Sequence, residues 1–245
     1  VSDWRVTRES VEEFLAAINT SGMLPTELTL SDVQHAYGGL RPLTEDAGGD
    51  TYNASRAAEV VDHAEPEHGR IAGLVTAAGG KYTTSRGFAH SVVELVAGKL
   101  GRRLSPSRTA QAALHGCGTG PIEDFVQHSI RRNPDFSAGT VRYLARHHGT
   151  EHDEVLDVAR TEPGLSHVLD ADGEMLAQVA VAARHESART LTDVLLRRTG
   201  LGTLGLPADD VLEACADVLG NELGWDDSRR RTEVEHAVAA LSLPW

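Results

Sequence analysis

The chain has 245 residues, a net charge of −13 and 40% hydrophobic residues. That is length enough for one large or two ordinary domains, and the acidity argues against nucleic acid and against loose binding to anionic lipid. No apolar run approaches the length of a membrane span, and Cys117 and Cys215 lie far apart without CxxC spacing, which suits a reducing compartment rather than a disulfide scaffold.

The first residues, Val1-Ser2-Asp3-Trp4-Arg5, are neither an initiator methionine nor a signal peptide, so the expectation is a fragment or a processed chain. Thr7 followed by Ser10 and Glu12 predicts a helix start, with Val11, Phe14, Leu15 and Ile18 on one stripe. A second, short helix is expected at Leu30-Ser31-Asp32. The run from His35 to Leu43 contains Gly38, Gly39 and Pro42 and reads as an irregular strand. Thr44 to Tyr52 reads as a loop. Strands are expected at Glu59–Asp62 and Ile71–Ala78, separated by the polar turn Glu65–Arg70. A helix should follow from Phe88.

After Gly101 the strand signals stop. Residues 101–120 read as a connector, and residues 121–245 as an all-helical domain. Its helices are expected at Ile122–Arg131, Ala138–His148, Glu151–Ala159, Glu174–His185, Leu191–Thr199, Ala208–Leu219 and Ser228–Leu241. Breaks fall at Gly149, Pro163-Gly164, Gly200, Gly205 and Gly224. Leu195, Leu196, Val211, Leu212, Leu219, Val234, Val238 and Leu241 recur at helical spacing and should be largely buried. Residues 1–100 carry the strands, so the fold class is α+β.

The stretch with the most chemistry is Ala78–Arg86, AGGKYTTSR. It joins an apolar strand to a helix through a glycine turn. Gly79 and Gly80 let backbone approach something flat or charged. Lys81 adds a full positive charge. Thr83 and Thr84 suit the first turn of a helix, where amides favour negative charge. Taken alone, such a turn is most simply a structural corner.

Other signals carry less. His185-Glu186 begins like HExxH, but position 189 is Arg. His147, His148 and His152 cluster without ordered carboxylate or cysteine partners, so no metal site is expected. Asp170-Ala-Asp-Gly-Glu174 lacks the full run of a calcium loop. Arg229-Arg230-Arg231 is a basic cluster whose default is a solvated helix face, with a peripheral lipid contact as the sharper alternative.

Five segments in order carry a family resemblance: Ala36–Leu43 (AYGGLRPL), Ser55-Arg56, Gly73–Arg86, Leu195–Gly202 (LLRRTGLG) and Glu222–Asp227 (ELGWDD). Together the chain resembles the C-terminal half of FAD-dependent glycerol-3-phosphate dehydrogenase. The resemblance implies that residues 1–100 end a flavin and substrate domain of the D-amino-acid-oxidase type, followed by the family's helical domain. It implies FAD as cofactor, oxidation of glycerol 3-phosphate to dihydroxyacetone phosphate, and electron transfer to a quinone. The family's strand–GxGxxG–helix is not found in this sequence; His115–Gly120 has the wrong glycine spacing and no preceding strand. The missing N-terminal FAD-binding half is therefore an expected partner, and the chain alone is expected to be inactive. The implied location is cytoplasmic or peripheral on the inner face of the cell membrane.

On this resemblance Lys81 is the catalytic cation near flavin or substrate. Gly79, Gly80, Lys81, Thr83 and Thr84 form the cofactor-binding turn, and Arg41 and Arg56 are the substrate phosphate ligands. Arginine suits that role because its fork matches an oxyanion in bidentate fashion. Two departures stand out: Ala57 and Ala58 follow Arg56 where a histidine is frequent, and Ser85 replaces the usual tyrosine. Two other readings stay open: a helical interaction module in residues 121–245, and a related FAD-dependent amine oxidoreductase in which Arg41 binds a carboxylate.

Overall fold

The computed structural model describes residues 5–40, 58–79, 81–243 and 245. Its contacts divide into one unit within Gly39–Ala113 and another formed by Asp3–Gly38 together with Leu114–Trp245.

In the second unit, helix α1 spans Arg8–Thr20. Thr7 and Ser10 close it reciprocally: the Ser10 amide donates to Thr7 Oγ1 at 3.2 Å and the Thr7 amide to Ser10 Oγ at 3.1 Å. The short turn at Leu30–Asp32 forms as a 3₁₀ turn. Residues 35–40 form no strand, contrary to the sequence expectation, because their glycines leave no ladder to join.

Seven further helices follow: α3 at Ile122–Arg132, α4 at Ala138–His148, α5 at His152–Thr161, α6 at Leu176–His185, α7 at Leu191–Asp193, α8 at Asp209–Leu223 and α9 at Asp227–Leu241. Polar caps start several of them; Ser137 accepts from the Thr140 amide at 3.0 Å and Asp226 from the Arg229 amide at 2.7 Å. Gly224, at φ +70°, ends α8 in the left-handed conformation that glycine adopts without cost.

Helix α6 is buried along its whole length from Leu176 to Ala183 and is shared by two cores. One face packs on α4 and α5 through Val141, Leu144, Val155 and Leu156. The other packs on α7, α8 and α9 through Leu191, Leu195, Leu212, Leu219 and Leu241. A helix apolar on all sides has to be covered on all sides, and its alanines let the neighbours come close.

The predicted helix Leu191–Thr199 is corrected by the structure. It is α-helical only to Asp193 and becomes a π-turn over Val194–Arg198. The extra residue in that turn rotates the next side chain outward. Leu196, expected in the core, is accordingly 43% exposed, while Leu195 is fully buried. Val211, Val234 and Val238 are half-buried against the core rather than inside it.

The Gly39–Ala113 unit is built differently. Strands β1, Glu59–Asp62, and β2, Val75–Ala78, pair antiparallel, with Glu59 opposite Ala78 and Asp62 opposite Val75. The predicted strand from Ile71 is shorter than expected, because Gly73 turns the chain at φ +81° before pairing begins. Helix α2, Ser85–Lys99, follows β2 through a 3₁₀ turn at Tyr82–Thr84. Lys99 Nζ returns to Asp62 at 2.6 Å and ties the end of α2 to β1. Among the described residues of this unit only Ala97 is buried, while Ile71, Leu74, Val93, Leu100 and Leu104 are exposed.

Candidate functional site

The glycine turn after β2 opens onto a cleft of about 350 Å³ lined by Ala58, Gly79, Lys81, Tyr82, Thr84, Ser85 and Phe88. Strand β2 delivers Gly79 to its floor. A Cβ on Gly79 would lie 3.2 Å from the Phe88 ring and 3.3 Å from the Ala58 Cβ, so glycine is what lets strand, helix and β1 approach meet there. The 3₁₀ turn then carries Lys81, Tyr82 and Thr84 to the rim. Tyr82 is 97% exposed.

No side chain caps the N-terminus of α2. The hydroxyls available for capping point back into their own turn: Thr84 Oγ1 donates to the Lys81 carbonyl at 3.3 Å and Ser85 Oγ to the Tyr82 carbonyl at 2.8 Å. Thr84 and Ser85 therefore keep their oxygen lone pairs as acceptors. The cleft thus combines an ammonium group, hydroxyl acceptors, a phenol, an apolar ring and the positive end of a four-turn helix. That set suits a planar ligand with N–H donors for the hydroxyls and an electron-rich or anionic edge for Lys81 and the helix end.

Of the predicted site residues, the cleft brings together Gly79, Lys81 and Thr84. Thr83 stands on the same turn but does not line the cleft. Gly80, Arg41 and Arg56 lie outside the described residues. Tyr82, Ser85, Phe88 and Ala58 also line the cleft, and none of them was assigned to the site from the sequence. The first three could have been found from the turn itself: once Gly79 is the floor, the 3₁₀ turn and the first helical turn must form the wall.

A larger cleft, about 850 Å³, lies in the other unit among Arg5, Arg8, His35, Tyr37 and Trp245. Its chemistry is weaker. Arg8 is already engaged by Glu12 at 2.8 Å.

The discounted motifs are built into the helical unit. His148 accepts from the Gln178 amide at 3.2 Å, and His152 Nδ1 meets the Gly149 carbonyl at 2.8 Å. Burial, with the neighbouring His147 and His152 adding to it, pushes His148 down to about 4, as befits a neutral acceptor. Among the described residues no group of three or more His, Cys, Asp or Glu is arranged to hold a metal ion. Arg229 lies over the Trp225 ring and pairs with Glu233, and Arg230 pairs with Asp217 at 2.7 Å. Two of the three arginines in that cluster are therefore spent within the fold. No described helix is long and apolar enough to cross a membrane.

A strand, glycine turn and helix in one unit, and helices in the other, define a two-part α+β chain. Comparison with known proteins gives this class a family. Residues 107–230 match the model described as the C-terminal domain of alpha-glycerophosphate oxidase, and the chain belongs to that family. It is 30% identical over 251 residues to glycerol-3-phosphate dehydrogenase 2 of Mycobacterium tuberculosis, covering 98% of this chain and 41% of that protein. It is 27% identical to the human mitochondrial glycerol-3-phosphate dehydrogenase, covering 94% of this chain and 31% of that one. The structure is similar to the glycerol-3-phosphate dehydrogenase of Bacillus halodurans complexed with FAD, with a TM-score of 0.73 and 27% identity, over 98% of this chain and 47% of the other. The chain thus spans less than half the length of these relatives.

Proposed function

We propose that this chain is the C-terminal portion of an FAD-dependent glycerol-3-phosphate dehydrogenase. The reaction is oxidation of the secondary alcohol of sn-glycerol 3-phosphate to the ketone of dihydroxyacetone phosphate, with electrons passing on to a quinone. The observation that carries the reading is the cleft that gathers Gly79, Lys81 and Thr84 at the N-terminus of α2, in a chain whose structural relative is complexed with FAD. On this reading residues 1–100 complete a flavin and substrate domain of the D-amino-acid-oxidase type, 101–120 connect, and 121–245 form the helical domain.

The residues fit a flavin edge. The floor at Gly79 has no side chain to hold a ring away, and the rim supplies Lys81 and hydroxyl acceptors. A bound FAD supplies the hydride acceptor for the oxidation. Lys81 and the α2 N-terminus stabilise negative charge that develops at the cleft during reduction. Gly80 and Thr83 belong to the same cofactor-binding stretch of the sequence, and Arg41 and Arg56 are assigned to the substrate phosphate as charge-assisted donors. The near absence of a buried core in the described Gly39–Ala113 unit supports this division of labour. So many exposed apolar side chains beside one buried alanine mark a surface that further protein covers.

The test uses the complete enzyme with three variants. Lys81→Met should lower kcat with glycerol 3-phosphate and weaken flavin retention. Arg41→Ala should raise KM by roughly 10- to 100-fold, the loss of about 1.5–3 kcal/mol expected for a charge-assisted phosphate contact. Arg229→Ala should leave both constants near wild type. Equal, small effects for all three would reject the assignment of the cleft and of Arg41. The 245-residue chain alone, given FAD, should not hold it stoichiometrically or turn over substrate. The pyrophosphate-binding glycine turn on which FAD affinity depends is not found in its sequence.

A further inference from the structure

Beside α2, a second cleft of about 860 Å³ lies within the Gly39–Ala113 unit. One wall is a stripe of α2: Arg86, Ala89, His90, Val93 and Glu94 recur three and four residues apart and so share a face. The other wall is the segment 104–109. Gly101, at φ +63°, ends α2 and lets the chain reverse, and the Arg102 amide donates to the Ala97 carbonyl at 2.9 Å. The far end of the segment is tied to the first turn of the helix, where Arg86 Nη1 donates to Thr109 Oγ1 at 3.3 Å. This groove is distinct from the one at Gly79. Ser85 and Phe88 line that cleft, and Arg86 and Ala89 line this one.

The chain is acidic as a whole, but not here. Residues 86–113 hold Arg86, Lys99, Arg102, Arg103 and Arg108 against one acid, Glu94, in a chain with 36 Asp and Glu to 23 Lys and Arg. Lys99 is spent on Asp62. Arg86 and Arg108 line the cleft from its two walls, and among the described residues neither pairs with a carboxylate. The one acid of the lining, Glu94, meets His90 Nε2 at 3.3 Å. A local turn presents Arg108: the Thr109 amide donates to Ser107 Oγ at 3.3 Å, and the Gln111 and Ala112 amides donate to the Arg108 carbonyl, each at 3.0 Å. Ser105, Ser107 and Thr109 add hydroxyls to the same wall. The rest of the lining is apolar, and its largest members, Val93 and Leu104, are 54% and 50% exposed.

We propose that this cleft binds a soluble organic phosphate monoester that carries a short apolar chain. Two guanidinium groups with neighbouring hydroxyls supply donors for the oxygens of a dianion, and the fork of arginine grips two oxygens at once. Val93 and Leu104 take the carbon chain; of the exposed apolar residues in this unit, these are the two that the ligand covers. The volume is that of a small-molecule site. A soluble ester is a better match than a lipid headgroup. The net charge of −13 repels an anionic bilayer, whereas a small anion inside the cleft lies within a Debye length, about 8–10 Å, of both arginines. No residue of the Gly79 cleft takes part, so the site stands independently of the flavin reading.

The experiment titrates the full 245-residue chain with hexyl phosphate by isothermal calorimetry, with hexanol, hexanoate and inorganic phosphate alongside. Hexyl phosphate should bind at least about tenfold more tightly than each of the three, because each lacks either the dianion or the chain. Arg86→Gln and Arg108→Gln should each weaken it about tenfold, and Leu104→Ser about threefold. All three side chains are exposed, so the variants should keep the wild-type circular dichroism. Amide shifts of the ¹⁵N-labelled wild-type chain give a readout that needs no variant: hexyl phosphate should move residues 86–94 and 104–109. Shifts confined to the turn at Gly79 would overturn the proposal. So would hexanoate binding as tightly as hexyl phosphate, or binding that survives both arginine substitutions. Capture of the chain by phosphatidylcholine vesicles containing phosphatidate, with no binding of hexyl phosphate, would assign the arginines to a membrane and also overturn it.

Discussion

Replacing Glu233 by alanine should be among the most damaging single changes in the helical unit. Glu233 stands on α9 and is 2% exposed. Its Oε2 accepts from the Leu191 amide at 2.8 Å, and its Oε1 meets Arg229 at 2.5 Å. The first turn of α7 explains the dependence. Thr190 Oγ1 accepts from the Asp193 amide at 3.1 Å, and Asp193 Oδ2 accepts from the Arg189 and Thr190 amides, each at 3.0 Å. That local capping box leaves the Leu191 amide without a local acceptor, and Leu191 is fully buried. Truncating Glu233 leaves a buried donor unmet, which costs about 1–3 kcal/mol. Losing the pairing with half-exposed Arg229 adds about 0–1 kcal/mol after solvent screening. A total of about 1–4 kcal/mol is a large share of the stability of an ordinary domain. Glu233→Gln keeps an acceptor for Leu191 and should cost about 1 kcal/mol. Urea unfolding followed by far-ultraviolet circular dichroism measures both. If Glu233→Ala shifts stability by less than about 0.5 kcal/mol, or if Gln is as harmful as Ala, the reasoning about the Leu191 amide is wrong.

The neighbouring leucines Leu195 and Leu196 should differ sharply. Leu195→Ala should cost about 2–5 kcal/mol in urea unfolding because its side chain is enclosed by the α6–α9 core, while Leu196→Ala should stay within about 0.5 kcal/mol. Comparable costs for the two would mean that the π-turn is not the conformation in solution. On the acid side, burial alone would raise the Asp193 carboxyl, but the Arg189 and Thr190 donors hold it below the usual aspartate range. Its stabilisation is therefore present above the unfolded value of about 3.9 and is lost as pH falls through the lower folded value. Asp193→Asn should flatten the acid limb of a stability–pH profile; an unchanged limb would remove Asp193 from its causes.

Much of this protein was readable from the chain alone where the signal is local. The Thr7 and Ser10 pairing, the serine cap at Ser137 and the glycine stop at Gly224 each act within a few residues, so their spacing is enough to place helix ends. The glycine turn at Gly79 was legible for the same reason, since a strand, a glycine and a helix start must create a corner. The family could also be recognised from the ordered motifs, and residues 107–230 bear that out.

What the sequence could not decide depends on groups far apart in the chain. Leu195 and Leu196 are equally apolar, and only the π-turn, set by packing of α7 against α9, puts one inside and the other out. Tyr82 carries no role that spacing alone could assign, and only the fold puts it on the rim of the cleft. Asp170 to Glu174 looked like an incomplete calcium loop; its meaning lies in Tyr143 and Gly200, which meet Glu174 from 31 and 26 residues away. A periodic pattern reports which side of a helix is apolar. It cannot report which polar atoms a distant segment will bring to a buried carboxyl, and that is where the tertiary structure decided the chemistry.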